Sequence, residues 1–152
     1  MKELIIKRID KELPLPQYKT GGSVGMDLVA RKDVTFKGLT MELVPLNIVI
    51  KTPEKYATLL LPRSSLFRKK GLIMANSVGV IDQDYCGDED EVKACLLFMA
   101  NINKPAQTIK RGEIVCQLLL TRVDNDFEVV ESDSMGDSRG GFGSTGGYAD
   151  NE

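Results

Sequence analysis

The chain contains no histidine. Any acid–base step it performs must therefore fall to a carboxylate, lysine, tyrosine or cysteine, and His-based triads are excluded. The strongest candidate is Asp82, in the run GVIDQDYCGDEDE from Gly79 to Glu91. If the apolar strand before it persists, Val78, Val80 and Asp82 share one face, and Gly79 and Ile81 the other. Asn76 and Tyr85 flank the aspartate with a hydrogen-bonding amide and a ring. An ionised aspartate so placed can hold and polarise a water. The competing reading is simple: an acid at a strand end often only opens a turn. Asp84, Asp88, Glu89, Asp90 and Glu91 read as solvated loop charges.

Three other fragments carry chemistry-bearing residues. In PRSSLFRKKG, Ser64 to Gly71 is the one helical stretch, with a serine N-cap, basic residues in its last turn and a glycine to end it. Arg63, Ser64 and Ser65 thus gather a guanidinium, two hydroxyls and free N–H groups, as an anion site or as an ordinary capped turn. In KRGEIVCQLLL, Gln117 is a polar residue in an apolar strand, and a buried amide needs a partner in the sheet or a ligand. In the tail, RGGFGSTGG places Arg139, Phe142, Gly143, Ser144 and Thr145 where glycines allow close backbone approach. Arginine can fork onto a phosphate, phenylalanine can stack on a base, and the hydroxyls can donate. Such a segment fits a lid, although Gly/Ser-rich termini are commonly just disordered. GGSVGMDL reads as a glycine turn leading to Asp27; its spacing is no dinucleotide fingerprint, and there is no P-loop.

The elements that must position these residues are short strands. LIIKRI, VTF, MELVPLNIVI, YATLLL, SVGVI, VKACLLFM, IVCQLLL and FEVV are apolar, often β-branched, and bounded by Gly, Pro, Asp and Asn. They predict one all-β domain over residues 1–131, a β-sandwich, jelly roll or barrel. Residues 132–152 form a Gly-rich arm, mobile when empty. At 152 residues the chain supports one sizeable core, and 42% hydrophobic with 28% charged content is ordinary for a soluble domain. A net charge of −2 offers no general reason to bind nucleic acid or anionic membrane. Three cysteines without CxxC spacing suit a reduced, cytoplasmic protein. Neither a signal-peptide core nor a membrane-length apolar window is present.

Taken in order, GMDL, PRSSL, GVIDQDY, RGEIVCQ and RGGFGSTG resemble the five motifs of the homotrimeric all-β dUTP pyrophosphatases, over nearly the whole chain. The resemblance implies hydrolysis of dUTP to dUMP and pyrophosphate by water attack on the α-phosphorus, with Asp82 orienting the water. It implies that Tyr85 packs under deoxyribose and leaves no room for a 2′-hydroxyl. Main-chain groups of Asn76, Gly79, Val80 and Ile81 would read the uracil edge. Arg63, Ser64, Ser65 and Gln117 would bind phosphates. Arg139, Phe142, Gly143, Ser144 and Thr145 match the arm that clamps the γ-phosphate and covers the base. Mg²⁺ is the implied cofactor, held chiefly by phosphates and waters, with Asp27 acting through a metal-bound water or the Arg63 region. The resemblance also implies a β-clip, jelly-roll-like barrel and a homotrimer with shared active sites, in the cytoplasm, or the host cytoplasm for a phage protein. One departure is the DEDE inserted between Gly87 and the next strand. It is a solvated turn or a surface for a regulatory protein partner. The rival readings are such a nucleotide-gated binding protein, a dCTP deaminase relative and a catalytically silent jelly roll.

Overall fold

The computed structural model describes residues 3–99, 103 and 105–141. Among them are eleven strands and one short helix. The central sheet is ordered β2 (Met26–Val29), β11 (Ile114–Arg122), β6 (Tyr56–Pro62), β8 (Gly79–Ile81), and neighbours run antiparallel. A second sheet is ordered β4 (Met41–Pro45), β9 (Lys93–Phe98), β7 (Leu72–Met74). Two pairs complete the set: β1 (Ile5–Arg8) with β5 (Ile48–Lys51), and β3 (Val34–Lys37) with β10 (Ala106–Ile109).

Alternation along these strands sends one set of side chains inward. In β9, Ala94, Leu96 and Phe98 are buried while Lys93 is exposed. Phe98 meets Phe36 of β3 at a centroid separation of 6.4 Å, inside a core shared with Leu28, Ile50, Leu60 and Leu118. All three cysteines are free, and burial pushes the Cys116 thiol up to about 12, which leaves it inert at neutral pH.

The all-β, jelly-roll-like reading holds, but the expected barrel does not close: the described strands pair in four separate sheets. Only β6 and β11 exceed six residues, so most strands end before they can bridge two sheets. MELVPLNIVI is two strands rather than one, because Asn47 adopts a left-handed turn (φ 67°) between β4 and β5. The glycine turn at Gly21 and Gly22 does lead to Asp27, which lies within β2, and β2, β7 and β10 are strands beyond those expected. FEVV forms no strand: Phe127 and Val129 are 75% and 96% exposed in an irregular stretch running from Val123 to Gly141. The helix α1 (Leu66–Lys70) is shorter than expected, and Ser65 at its N-cap makes no side-chain capping bond. Its end is as read, with Gly71 left-handed (φ 68°) after Arg68, Lys69 and Lys70.

The acidic run is the largest correction. Glu91 is buried, not solvated. Its carboxylate takes Arg31 Nε and Nη2 at 2.8 Å each and the Asn47 N–H at 2.9 Å. Asn47 in turn accepts the Asp10 N–H on Oδ1 at 2.6 Å and donates from Nδ2 to the Asp10 carbonyl at 3.0 Å. Asp88 pairs with Lys7 at 2.8 Å, and Asp90 accepts the Gly87 N–H at 2.7 Å. Burial raises the Glu91 pKa, yet the Arg31 fork, the Asn47 N–H and nearby Lys93 outweigh it and hold the carboxyl below its usual range. The stability this contributes is complete above the unfolded-state glutamate value and is lost as pH falls through the lower folded one. Glu91→Gln should therefore lower stability at neutral pH by about 2 kcal/mol, discounted because Arg31 is partly exposed. It should also flatten the acid limb of stability, as read by urea melts between about pH 6 and about pH 3.

Candidate active site

β8 lies at one border of the central sheet and pairs only with β6, so its outer border meets no described strand. Its main-chain N–H and C=O groups on that side are open to a ligand. The strand is entered by a tight turn: Ser77 is left-handed (φ 61°), its N–H donates to the Met74 carbonyl at 3.1 Å, and the Val78 N–H donates to the Asn76 carbonyl at 2.7 Å. Gly79 is buried, and a Cβ there would stand 3.1 Å from Leu60 Cβ, so glycine lets β8 lie against β6. Val78, Val80 and Asp82 are all exposed, but the strand is shorter than the expected SVGVI run and only Val80 of the three lies within it.

Beyond Ile81 the chain turns. The Tyr85 N–H donates to the Asp82 carbonyl at 3.3 Å, and Gln83 Nε2 donates to the Tyr56 carbonyl at 2.9 Å. The Tyr85 hydroxyl donates to the Glu91 carbonyl at 3.2 Å. Asp82 and Tyr85 then border one cavity of about 380 Å³ with Leu43, Val80, Ile81, Glu91, Val92 and Lys93. A volume of this size admits a small ligand.

A second cluster forms where β2, β11 and β6 run side by side. Register sets Gln117 opposite Asp27 on one side and Leu61 on the other. Gln117 Nε2 donates to the Pro62 carbonyl at 3.1 Å, while Arg63 Nε reaches Asp27 Oδ1 at 3.3 Å. Gly25 completes the arrangement, since a Cβ there would sit 2.7 Å from Gln117 Oε1. Ser64 is exposed and Ser65 half-buried at the start of α1, beside Lys69 and a Lys70–Glu113 ion pair. A guanidinium, two lysines, two hydroxyls and an amide here make a cationic, donor-rich surface suited to an anion.

The two clusters do not meet within one chain. Ile81 pairs with Thr58, so Asp82 falls at the level of Ala57, six positions from Arg63. At about 3.3 Å per residue that separation is about 20 Å. Arg139 is exposed in the irregular segment after β11, and Phe142, Gly143, Ser144 and Thr145 lie outside the described residues. Sequence reasoning missed Gly25, Arg31 and Glu91. The first was hidden among other glycines and the last among other acids, and Arg31 carried no distinguishing signal.

The dUTPase family model matches residues 11–146. The deoxyuridine 5′-triphosphate nucleotidohydrolase of Finegoldia magna is 40% identical over 152 aligned residues, covering 96% of this chain and 99% of that one. Its counterpart in Wolbachia pipientis is 41% identical, covering 90% and 89%. Among solved structures, the dUTPase of Streptococcus mutans superposes with a TM-score of 0.69 at 27% identity, covering 84% and 98%. A mutant dUTPase of Staphylococcus bacteriophage 80alpha, solved with dUpNHpp, gives 0.82 at 18% identity, covering 96% and 100%, and supports the fold alone. The family match spans most of the chain and both relatives cover at least 90% of it: this protein belongs to the dUTPase family.

Proposed function

We propose that this protein hydrolyses dUTP to dUMP and pyrophosphate in sites that three copies of the chain build together. The observation that carries the reading is the split just described: an exposed carboxylate beside a ring and a cavity, and an anion-binding cluster about 20 Å away by strand register. Two halves of one site so far apart fit a reaction centre closed by neighbouring copies. An apolar outer face on the second sheet, with Met41 and Leu43 more than half exposed beside Leu97 and Ile73, supplies surface for such contacts.

In this reading a water oxygen attacks the α-phosphorus and the bond from that phosphorus to the bridging oxygen breaks, releasing pyrophosphate. Asp82 orients the water and takes its proton. Tyr85 lies under the deoxyribose, and the outer border of Gly79, Val80 and Ile81, with Asn76, reads the uracil edge. Arg63, Ser64, Ser65 and Gln117 hold phosphates from another copy. The arm, residues 132–152 beyond a 1–131 core, brings Arg139, Phe142, Gly143, Ser144 and Thr145 over the nucleotide. The described residues contain no group of three or more metal-ligating side chains, so Mg²⁺ fits as a cation carried by the triphosphate, with Asp27 reaching it through water. When bound it neutralises phosphate charge. No described helix is long and apolar enough to cross a membrane, and we assign the reaction to the cytoplasm.

The rival readings lose support. A deaminase needs a further glutamate directed into the pocket, but Glu91 is already saturated by Arg31 and Asn47, and β9 carries only Lys93 as a charge. The acidic turn spends Asp88, Asp90 and Glu91 on contacts within the chain, which leaves less of it for a regulatory partner.

Three experiments test the assignment. With Mg²⁺ and dUTP, dTTP, UTP or dCTP, product analysis should show dUMP and pyrophosphate from dUTP alone, with kcat at least about 100-fold lower in Asp82→Asn; turnover of dCTP would move the protein to the deaminase branch. Asp82→Asn and Arg63→Ala, each inactive alone, should regain measurable activity when dissociated and reassembled together, because some mixed sites then carry both native groups; persistent inactivity would refute shared sites. Gly25→Ala should displace the Gln117 amide and raise KM for dUTP about tenfold with little change in thermal stability.

A further inference from the structure

The reaction above leaves unused the most deeply buried charge among the described residues. Glu91 sits in the wall of the Asp82 cavity, its side chain only 7% exposed. Three donors occupy its carboxylate, two from Arg31 and one from the Asn47 main chain. Its carbonyl faces the other way and accepts the Tyr85 hydroxyl at 3.2 Å. The next peptide is clamped too: the Val92 N–H donates to the Ile48 carbonyl at 2.8 Å, and the Leu46 N–H donates to the Val92 carbonyl at 2.9 Å.

This arrangement matters because Tyr85 is itself 39% exposed and has two side-chain torsions to settle. The hydrogen bond from its hydroxyl selects one ring orientation only if the acceptor stays still. That acceptor is a main-chain oxygen, so its position follows from whatever holds Glu91. The intervening turn is closed by the Asp90 carboxylate on the Gly87 N–H at 2.7 Å, and a Cβ at Gly87 would stand 2.9 Å from the same carboxylate. Arg31 is anchored in turn, its own N–H donating to the Pro45 carbonyl at 2.8 Å. A continuous path thus runs from the ring, through the Glu91 backbone and carboxylate, to a guanidinium fixed at the end of β2.

We propose that the Arg31–Glu91 pair is a positioning device for Tyr85, and that it sets how strongly this site rejects a 2′-hydroxyl. The proposal rests on reading Tyr85 as the group beneath the deoxyribose. Rejection by contact requires a wall that does not yield. A ring free to tilt would admit ribose, while Asp82, on the other side of the turn, would keep its water.

The test uses the full-length protein and measures kcat and KM for dUTP and for UTP in wild type, Glu91→Gln, Tyr85→Phe and the double variant. Glu91→Gln should lower the dUTP-to-UTP ratio of kcat/KM by about tenfold or more, with kcat on dUTP held within about threefold. Tyr85→Phe removes only the donor of the linking bond and should produce a similar fall. The double variant should fall no further than either single one, because both changes break one path. An unchanged ratio in the single variants, or additive losses in the double, would overturn the proposal. Should Glu91→Gln not fold, Tyr85→Phe leaves the buried pair intact and decides alone. Wild-type protein that does not discriminate, or a Tyr85→Ala variant with an unaltered ratio, would instead remove the sugar-floor reading, and the proposal with it.

Discussion

A carboxylate taken out of water must find positive charge and hydrogen-bond donors, and the arrangement around the cavity follows from how Glu91 meets that demand. Its partners come from far along the chain: Arg31 lies 60 residues away and Asn47 lies 44. Meeting there fixes the end of β2 and the left-handed turn between β4 and β5. It also pulls the start of β9 against the turn that follows β8. Each was disposed by its own local pattern to form a strand end or a turn. The ion pair makes those separate ends one surface, and Asp82 and Tyr85 stand on it.

The electrostatic layout is divided in a way that suits its task. Arg63, Lys69 and Lys70 gather at one end of the central sheet, and Asp82 and Asp84 lie past the end of β8. Among the described residues Asp27, not Asp82, takes the Arg63 ion pair. Within one chain the Asp82 carboxylate and the Arg63 guanidinium therefore stand apart along the sheet. A net charge of −2 thus conceals a locally basic surface, which no whole-chain balance could reveal.

Much of this was legible in the residues. The strand leading to Asp82 and the glycine end of α1 both followed from residue pattern and turn chemistry. Other features depended on partners that a linear reading does not show. Glu91 sat among four other acids and looked solvated; only the fold brings Arg31 to it. FEVV has the composition of a strand, but a strand also needs a neighbour's N–H and C=O groups, and the described chain supplies none. Asn47 interrupted a run whose apolar pattern was continuous, because its amide and backbone serve the Asp10 and Glu91 contacts rather than the strand. The separation of Asp82 from Arg63 is a matter of register, and register is set by sheet order.

The open border of β8 has a cost that concerns the protein's life in solution rather than its chemistry. A strand border open to a ligand is also open to another polypeptide, and unsatisfied borders are where chains begin to stack into aggregates. Here that hazard is contained by geometry. The strand is three residues long, begins after a left-handed Ser77 and ends at a carboxylate, so a foreign strand finds no room to lengthen its ladder. Shortness, which looks like a weakness in the sheet, is what keeps this border from templating a longer one.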